Sequence, residues 1–170
     1  RLQGVSLHGI TWFPDFVDQD LFKQVSQDWN VNLIRIPVYS TEYVDGKQDQ
    51  CLALAHEAID AAIDADMYVI IDWHILEDHD PNVYKDDAME FFRNISSTYQ
   101  GVPNVIYEIC NEPNGSSVTW DTIAIYANKV MPIIHAAYDS VGAPHPIIFV
   151  GTPQWCQLVD APIKEGRYQG

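Results

Sequence analysis

Glu112 follows Asn111 at the end of an apolar run, VIYEIC (Val105–Cys110), and is itself followed by Pro113. A carboxylic acid in such a place can pass a proton to a leaving oxygen, provided its surroundings keep it protonated. Pro113 has no backbone N–H, so it stops the run and fixes the turn. The Asn111 amide can donate a hydrogen bond to a sugar hydroxyl. Three further polar residues close other apolar runs: His8, Arg35 and His74. An arginine there can orient a carboxylate through a two-pronged pair. The histidines can hold hydroxyls or a carboxylate. Trp12, Tyr39 and Trp155 fall just beyond run ends, where flat rings can stack on sugar faces. Taken singly, each has an ordinary explanation: a turn, a satisfied core histidine, an aromatic packed under a loop. Their shared position at the ends of several runs favours a site.

Other chemistry-bearing residues read as structural. Glu77-Asp78-His79-Asp80 with His74 resembles a metal cluster, but no HExxH spacing is present and such acidic runs are usually solvated loops. Neither a metal nor another cofactor is expected. Glu108 shares strand parity with Glu112 and is expected to point into the interior below the site, held by a hydrogen-bonded partner. Asp72 shares parity with His74 and is read in the same way. Cys110 is expected to be a buried small hydrophobe rather than a nucleophile.

The elements that must position these residues alternate along the chain. Apolar runs at Gly4–Ile10, Val31–Val38, Met67–Trp73, Asn104–Cys110 and Pro146–Val150 read as strands. Helical spacing covers Asp18–Trp29, Cys51–Asp66, Asp86–Tyr99 and Thr119–Ser140, marked by Leu21, Val25 and Trp29 on the first and with Phe91, Phe92 and Ile95 inward on the third. Strands apolar on both faces, each followed by a helix, predict parallel βα units. An open doubly wound sheet should carry a glycine-rich phosphate turn after its first strand. Here that turn reads HGITWFPD, without GxGxxG. Polar and aromatic residues instead mark the C-terminal end of every strand, where a (β/α)8 (TIM) barrel keeps its active site. Such a barrel takes ~250 residues. The expectation is one α/β domain, residues 1–170, forming the first five βα units of an incomplete barrel. A separate complementary chain, a truncation and an incomplete gene all fit that length. Val69, Ile106 and Ile148 are predicted to face the barrel interior.

Composition narrows the partners. The 170 residues are 47% hydrophobic and 19% charged, a globular balance. A net charge of −15 disfavours nucleic acid, anionic membrane and polyanionic substrates, and leaves a neutral ligand as the natural alternative. No apolar run reaches the ~20 residues of a membrane span. The three cysteines, Cys51, Cys110 and Cys156, exclude a disulfide scaffold but admit one bridge.

The run VIYEICNEPNG (Val105–Gly115) resembles the signature of glycoside hydrolase family 5, the cellulase family A enzymes. VSLHGITWF, LIRIPVY, IIDWHIL and GTPQW follow the family's order and spacing, most like its bacterial endo-1,4-β-glucanase branch. The resemblance implies a (β/α)8 barrel, a retaining mechanism and a secreted protein. It implies acid/base duty for Glu112, the 2-hydroxyl contact for Asn111 and nucleophile steering for Arg35. His8 and His74 match cleft histidines, and Trp12, Tyr39 and Trp155 match aromatic subsite positions. The family's nucleophile, a Glu ending strand seven, has no counterpart here, nor do the His and Tyr of strand six. The implied substrate is a β-1,4-glucan polysaccharide or oligosaccharide. A β-mannanase, another β-glucanase and a non-catalytic carbohydrate-binding fragment are the alternatives. A complementary C-terminal barrel fragment is a further partner the reading admits.

Overall fold

The computed structural model describes residues 1–164. Five strands form one parallel sheet: β1 (Gly4–Ser6), β2 (Leu33–Tyr39), β3 (Tyr68–His74), β4 (Val105–Glu108) and β5 (Ile148–Phe149). Four long helices connect them: α1 (Gln19–Trp29), α2 (Gln48–Asp64), α3 (Lys85–Thr98) and α4 (Trp120–Asp139). The strand order is β1-β2-β3-β4-β5, so each strand lies beside its predecessor. A doubly wound sheet reverses its order at a switch point. This sheet never reverses, and it is a continuous stretch of (β/α)8 barrel wall. Among the described residues no helix is long and apolar enough to cross a membrane.

Local chemistry sets the helix ends. The Asp18 carboxylate accepts the Leu21 N–H at 2.7 Å and caps α1. Asn30 closes α1 in the left-handed conformation, φ 53°. Thr119 and Thr122 form a reciprocal capping box at the start of α4. On α3, Phe91, Phe92 and Ile95 are fully buried. Phe91 meets Trp73 of β3 with ring centroids 5.4 Å apart, and Phe92 meets Tyr107 of β4 at 6.2 Å. Burying a Phe side chain is worth about 1.5–3 kcal/mol, so these two rings are a main tie between helix and sheet.

The pairing register separates two faces. Ile34, Val69 and Val105 are aligned across β2, β3 and β4, and all belong to the core shared with the helices. Arg35, Asp72 and Glu108 point to the opposite, interior face, with Ile70 and Ile106 one register step deeper than Asp72 and Glu108. The expectation for Ile106 is met. Val69 and Ile148 are corrected: Val69 packs under the helices, and Ile148 pairs with helix-facing Tyr107, which leaves Phe149 as the interior residue of β5. Parallel strands are apolar on both faces, so alternation alone could not say which face was which.

On α1 the periodic apolar residues are only partly covered. Phe22 is its buried residue, while Trp29 is 63% exposed and Leu21 and Val25 are half-buried. β1 is an edge strand, so α1 has cover on one side only. Its apolar stripe, with Phe13, Phe16 and Val5, lines an open groove of about 470 Å³.

Candidate active site

The strand ends bring the predicted polar residues together. Asp72 and Glu108 are register partners on β3 and β4, and Tyr39 is the partner of His74. Arg35 sits lower on β2, beside Ile70, and its long stem lifts the guanidinium to the carboxylates. Its Nε donates to Glu108 at 2.7 Å and its Nη2 donates to the other Glu108 oxygen at 2.8 Å. This is the two-pronged pair that fits an arginine, and Glu108 is the partner-bound interior residue that its strand parity predicts. The same Nη2 lies 2.8 Å from Asp72 Oδ2 and donates to Asn111 Oδ1 at 3.0 Å. Burial opposes the Arg35 charge, but the Glu108 hydrogen bond and the nearby Asp72, Glu108 and Glu112 charges hold its pKa above the ordinary range.

His74 Nδ1 is 2.6 Å from Asp72 Oδ2, and its Nε2 is 3.3 Å from Asn111 Nδ2. Asn111 also donates to the Ile75 carbonyl at 3.1 Å and is buried. Asp72 is wholly buried, and burial pushes its carboxyl up to about 6 despite the His74 hydrogen bond and the Arg35 charge. One guanidinium thus pairs with the carboxylates of Asp72 and Glu108 and also feels the charge of Glu112.

Glu112 is exposed beside this network and has a left-handed backbone, φ 29°. Its loop is held on several sides. Asn114 Nδ2 donates to the Glu112 carbonyl at 2.9 Å, and the Tyr126 hydroxyl on α4 donates to the Ile109 carbonyl at 2.5 Å. Gly151 packs so tightly that a Cβ there would lie 2.6 Å from the Cys110 carbonyl and from Pro113 Cδ. A non-glycine residue with positive φ is strained, and the strain is borne where surrounding contacts over-determine the turn.

Beside the polar cluster lies an aromatic one. Tyr39 meets His74 at 4.3 Å and Trp12 at 4.5 Å between ring centroids, and Trp12 meets His8 at 5.1 Å. His8 is exposed, and its Nδ1 accepts the Gly9 N–H at 2.8 Å. The structure does not bring Trp155 into this group. Trp155 is 55% exposed in the turn Pro153–Cys156, attached through its N–H to the Pro113 carbonyl at 3.1 Å. Among the described residues its ring stacks on no other.

Sequence reasoning missed Glu42. It accepts hydrogen bonds from Thr11 and the Trp12 side chain and pairs with Lys47, so it anchors the loop that carries Trp12. No spacing in the sequence marks it, because its place depends on the irregular turn Tyr43–Lys47. The acidic run after His74 is engaged in its own loop: Asp78 accepts from Leu76 N at 2.7 Å and from the Ser40 hydroxyl at 2.8 Å. Cys51, Cys110 and Cys156 are all free. Cys110 is fully buried, and burial raises its thiol pKa, as suits a small hydrophobe.

This wall of parallel strands carries an arginine–carboxylate–asparagine network at its C-terminal end, where a (β/α)8 barrel keeps its active site. A family model described as cellulase (glycosyl hydrolase family 5) matches residues 1–166, and the chain belongs to that family. It is 45% identical over 166 residues to endoglucanase A of Butyrivibrio fibrisolvens, covering 94% of this chain and 37% of the relative. It is 44% identical over 160 residues to endoglucanase A of Evansella cellulosilytica, covering 94% of this chain and 32% of the relative. Among solved structures it resembles the Thermobifida fusca endoglucanase Cel5A catalytic domain, determined in complex with cellotetraose. The TM-score is 0.84 at 36% identity, over 98% of this chain and 52% of that one. The chain spans about a third of those two curated relatives and about half of that solved structure.

Proposed function

We propose that residues 1–170 carry the acid/base side of a retaining endo-1,4-β-glucanase, which cleaves internal β-1,4-glucosidic bonds. The observation that carries the reading is the Arg35–Asn111–Glu112 arrangement at the mouth of the strands. Glu112 is exposed at the cleft, where its carboxyl protonates the leaving glycosidic oxygen. Asn111 holds the 2-hydroxyl of the sugar at the cleaved bond. Tyr39, Trp12 and His8 form the floor on which neighbouring sugars stack, with His74 at its inner edge. Trp155 serves a more distant sugar from the other side.

A retaining glycosidase needs a second carboxylate ~5–5.5 Å from the first, to attack the anomeric carbon. Asp72 is wholly buried and Glu108 lies within β4, four residues before Glu112, so neither is assigned to that attack. The nucleophile is assigned to strand seven of the completed barrel, where Arg35 steers it. No residue role here requires a metal or cofactor. The whole protein is proposed to act outside the cell on a neutral glucan, which its acidic surface does not repel.

The test is reducing-end release from carboxymethylcellulose by the completed barrel, set beside cello-oligosaccharide binding. Release from cellulose but not from mannan supports the glucanase. Release from mannan alone supports a mannanase, and binding without release supports a non-catalytic module.

A further inference from the structure

We propose that Asp72 is a positioning residue: one oxygen of its buried side chain holds both Arg35 and His74, and through them fixes which way the Asn111 amide faces beside Glu112. The activity arm of its test rests on the glucanase reading, whereas the geometry stands without it.

Asp72 Oδ2 forms an ion pair with Arg35 Nη2 at 2.8 Å and lies in hydrogen-bond reach of His74 Nδ1 at 2.6 Å. The Arg35 nitrogen also donates to Asn111 Oδ1 at 3.0 Å, so the amide oxygen must face the arginine. The amide nitrogen then faces the Ile75 carbonyl at 3.1 Å and His74 Nε2 at 3.3 Å. An amide nitrogen only donates, so His74 Nε2 must accept, and the ring proton of neutral His74 sits on Nδ1. Asp72 is the acceptor that receives it there. With the proton on Nε2 instead, His74 and Asn111 would meet donor to donor. Turning the amide over would only move that clash to Arg35.

Asp72 also bears a cost that packing alone does not explain. Its other oxygen, Oδ1, is buried without a hydrogen-bond partner among the described residues. A leucine would fill such space without desolvating a carboxylate. Glu108 supplies the contrast: it grips Arg35 through two nitrogens and makes no hydrogen bond to His74 or Asn111. It can hold the arginine, but it cannot choose the tautomer of the histidine.

The experiment uses the completed barrel as wild type, Asp72→Asn and Asp72→Leu. Long-range proton–nitrogen NMR at mildly alkaline pH reads the His74 tautomer, assigned with His74→Gln. The wild type is expected to carry the proton on Nδ1. Asp72→Asn, which keeps an acceptor oxygen, retains that pattern, and Asp72→Leu loses it. On cello-oligosaccharides, kcat of Asp72→Leu falls roughly 10²-fold, as expected for a misplaced contact, while KM changes little. Asp72→Asn recovers part of the loss. A wild-type His74 protonated on Nε2 overturns the proposal, and so does a folded Asp72→Leu protein with the wild-type tautomer. The wild-type spectrum needs no Asp72 variant, so a Leu protein that fails to fold leaves the test intact. If the wild type cleaves no glucan, the glucanase reading fails, and the tautomer still decides this proposal.

Discussion

Glu112→Gln removes one proton donor and leaves its loop in place, because the contacts holding that loop are made by its backbone and neighbours. Hydrolysis of unactivated glucans by the completed barrel should fall roughly 10²–10⁴-fold. Substrates with good leaving groups need little protonation and should suffer less in the glycosylation step. Steady-state rates on cellulose and on an aryl cellobioside check this, and equal losses on both would remove Glu112 from the acid role. Arg35→Lys keeps a charge but not the planar fork that reaches Glu108, Asp72 and Asn111 together. It should lose most activity while remaining folded, as read by circular dichroism beside turnover. Asp72 gives a pH prediction. Its folded pKa of about 6 lies above the ordinary carboxyl value of 3.8. Between those two values the folded state holds a proton that the unfolded state has released. The group's contribution to stability therefore falls as pH rises through that window. The difference in urea midpoint between wild type and Asp72→Asn should change across it, and a flat difference would contradict the raised value. Glu112, Asn111 and His74 were legible because each lies at the end of an apolar run, and Arg35 because it is the charge inside one. The bond between Asp72 and His74 was half legible, as a shared parity. That one oxygen serves both Arg35 and His74 depends on how far the Arg35 stem reaches, which spacing does not encode.

Among the elements, a tight fit joins the Glu112 loop to Gly151, two residues past β5. Gly151→Ala would drive a methyl group against the Cys110 carbonyl and the Pro113 ring. Overpacking of this kind costs about 1–3 kcal/mol. The expected result is a lower melting temperature together with lost activity, because the displaced loop is the one carrying Glu112. Unchanged melting and turnover would mean that the loop yields freely. The helices were legible from their period: Phe91, Phe92 and Ile95 share one face of α3, and all three are buried. The strands were legible as runs, but their faces were not, which is why Val69 and Ile148 were placed on the wrong side. The short irregular turns escaped altogether. Tyr43–Lys47 and the left-handed residues Gln154, Trp155 and Cys156 take their shape from tertiary contacts. Anchoring of Trp12 by Glu42 was lost with the first, and the separation of Trp155 from the other rings with the second.

At the scale of the molecule, two sheet edges and one groove decide behaviour. The outer edges of β1 and β5 pair with no strand among the described residues, and a closed barrel has no such edges. Phe13, Phe16 and Trp29 are about half exposed or more beside β1, and Phe149 is 45% exposed on the interior face of β5. Residues 1–170 purified alone should therefore be inactive and self-associate, despite a net charge of −15. Light scattering beside cellulase turnover tests both statements. A monodisperse monomer with normal turnover would refute them together, and an inactive monomer would refute only the second. The order of the strands was legible from the alternating pattern once a doubly wound sheet had been set aside. The groove was not, because the α1 stripe looks the same in sequence whether or not a neighbour covers it.

The unreversed order of the strands bears on time as well as shape. Each strand after the first pairs with the one made just before it, so every pairing in the sheet closes a single βα unit and none has to wait for a distant segment. Loop-closure entropy is smaller for such near-neighbour pairings than for pairings between distant strands. On the ribosome, where N-terminal segments emerge first, the wall can grow strand by strand in the direction of synthesis. Arg35 is made long before Glu108 and Asn111. Until β4 arrives, Asp72 of β3 is the one acid of the network within its reach.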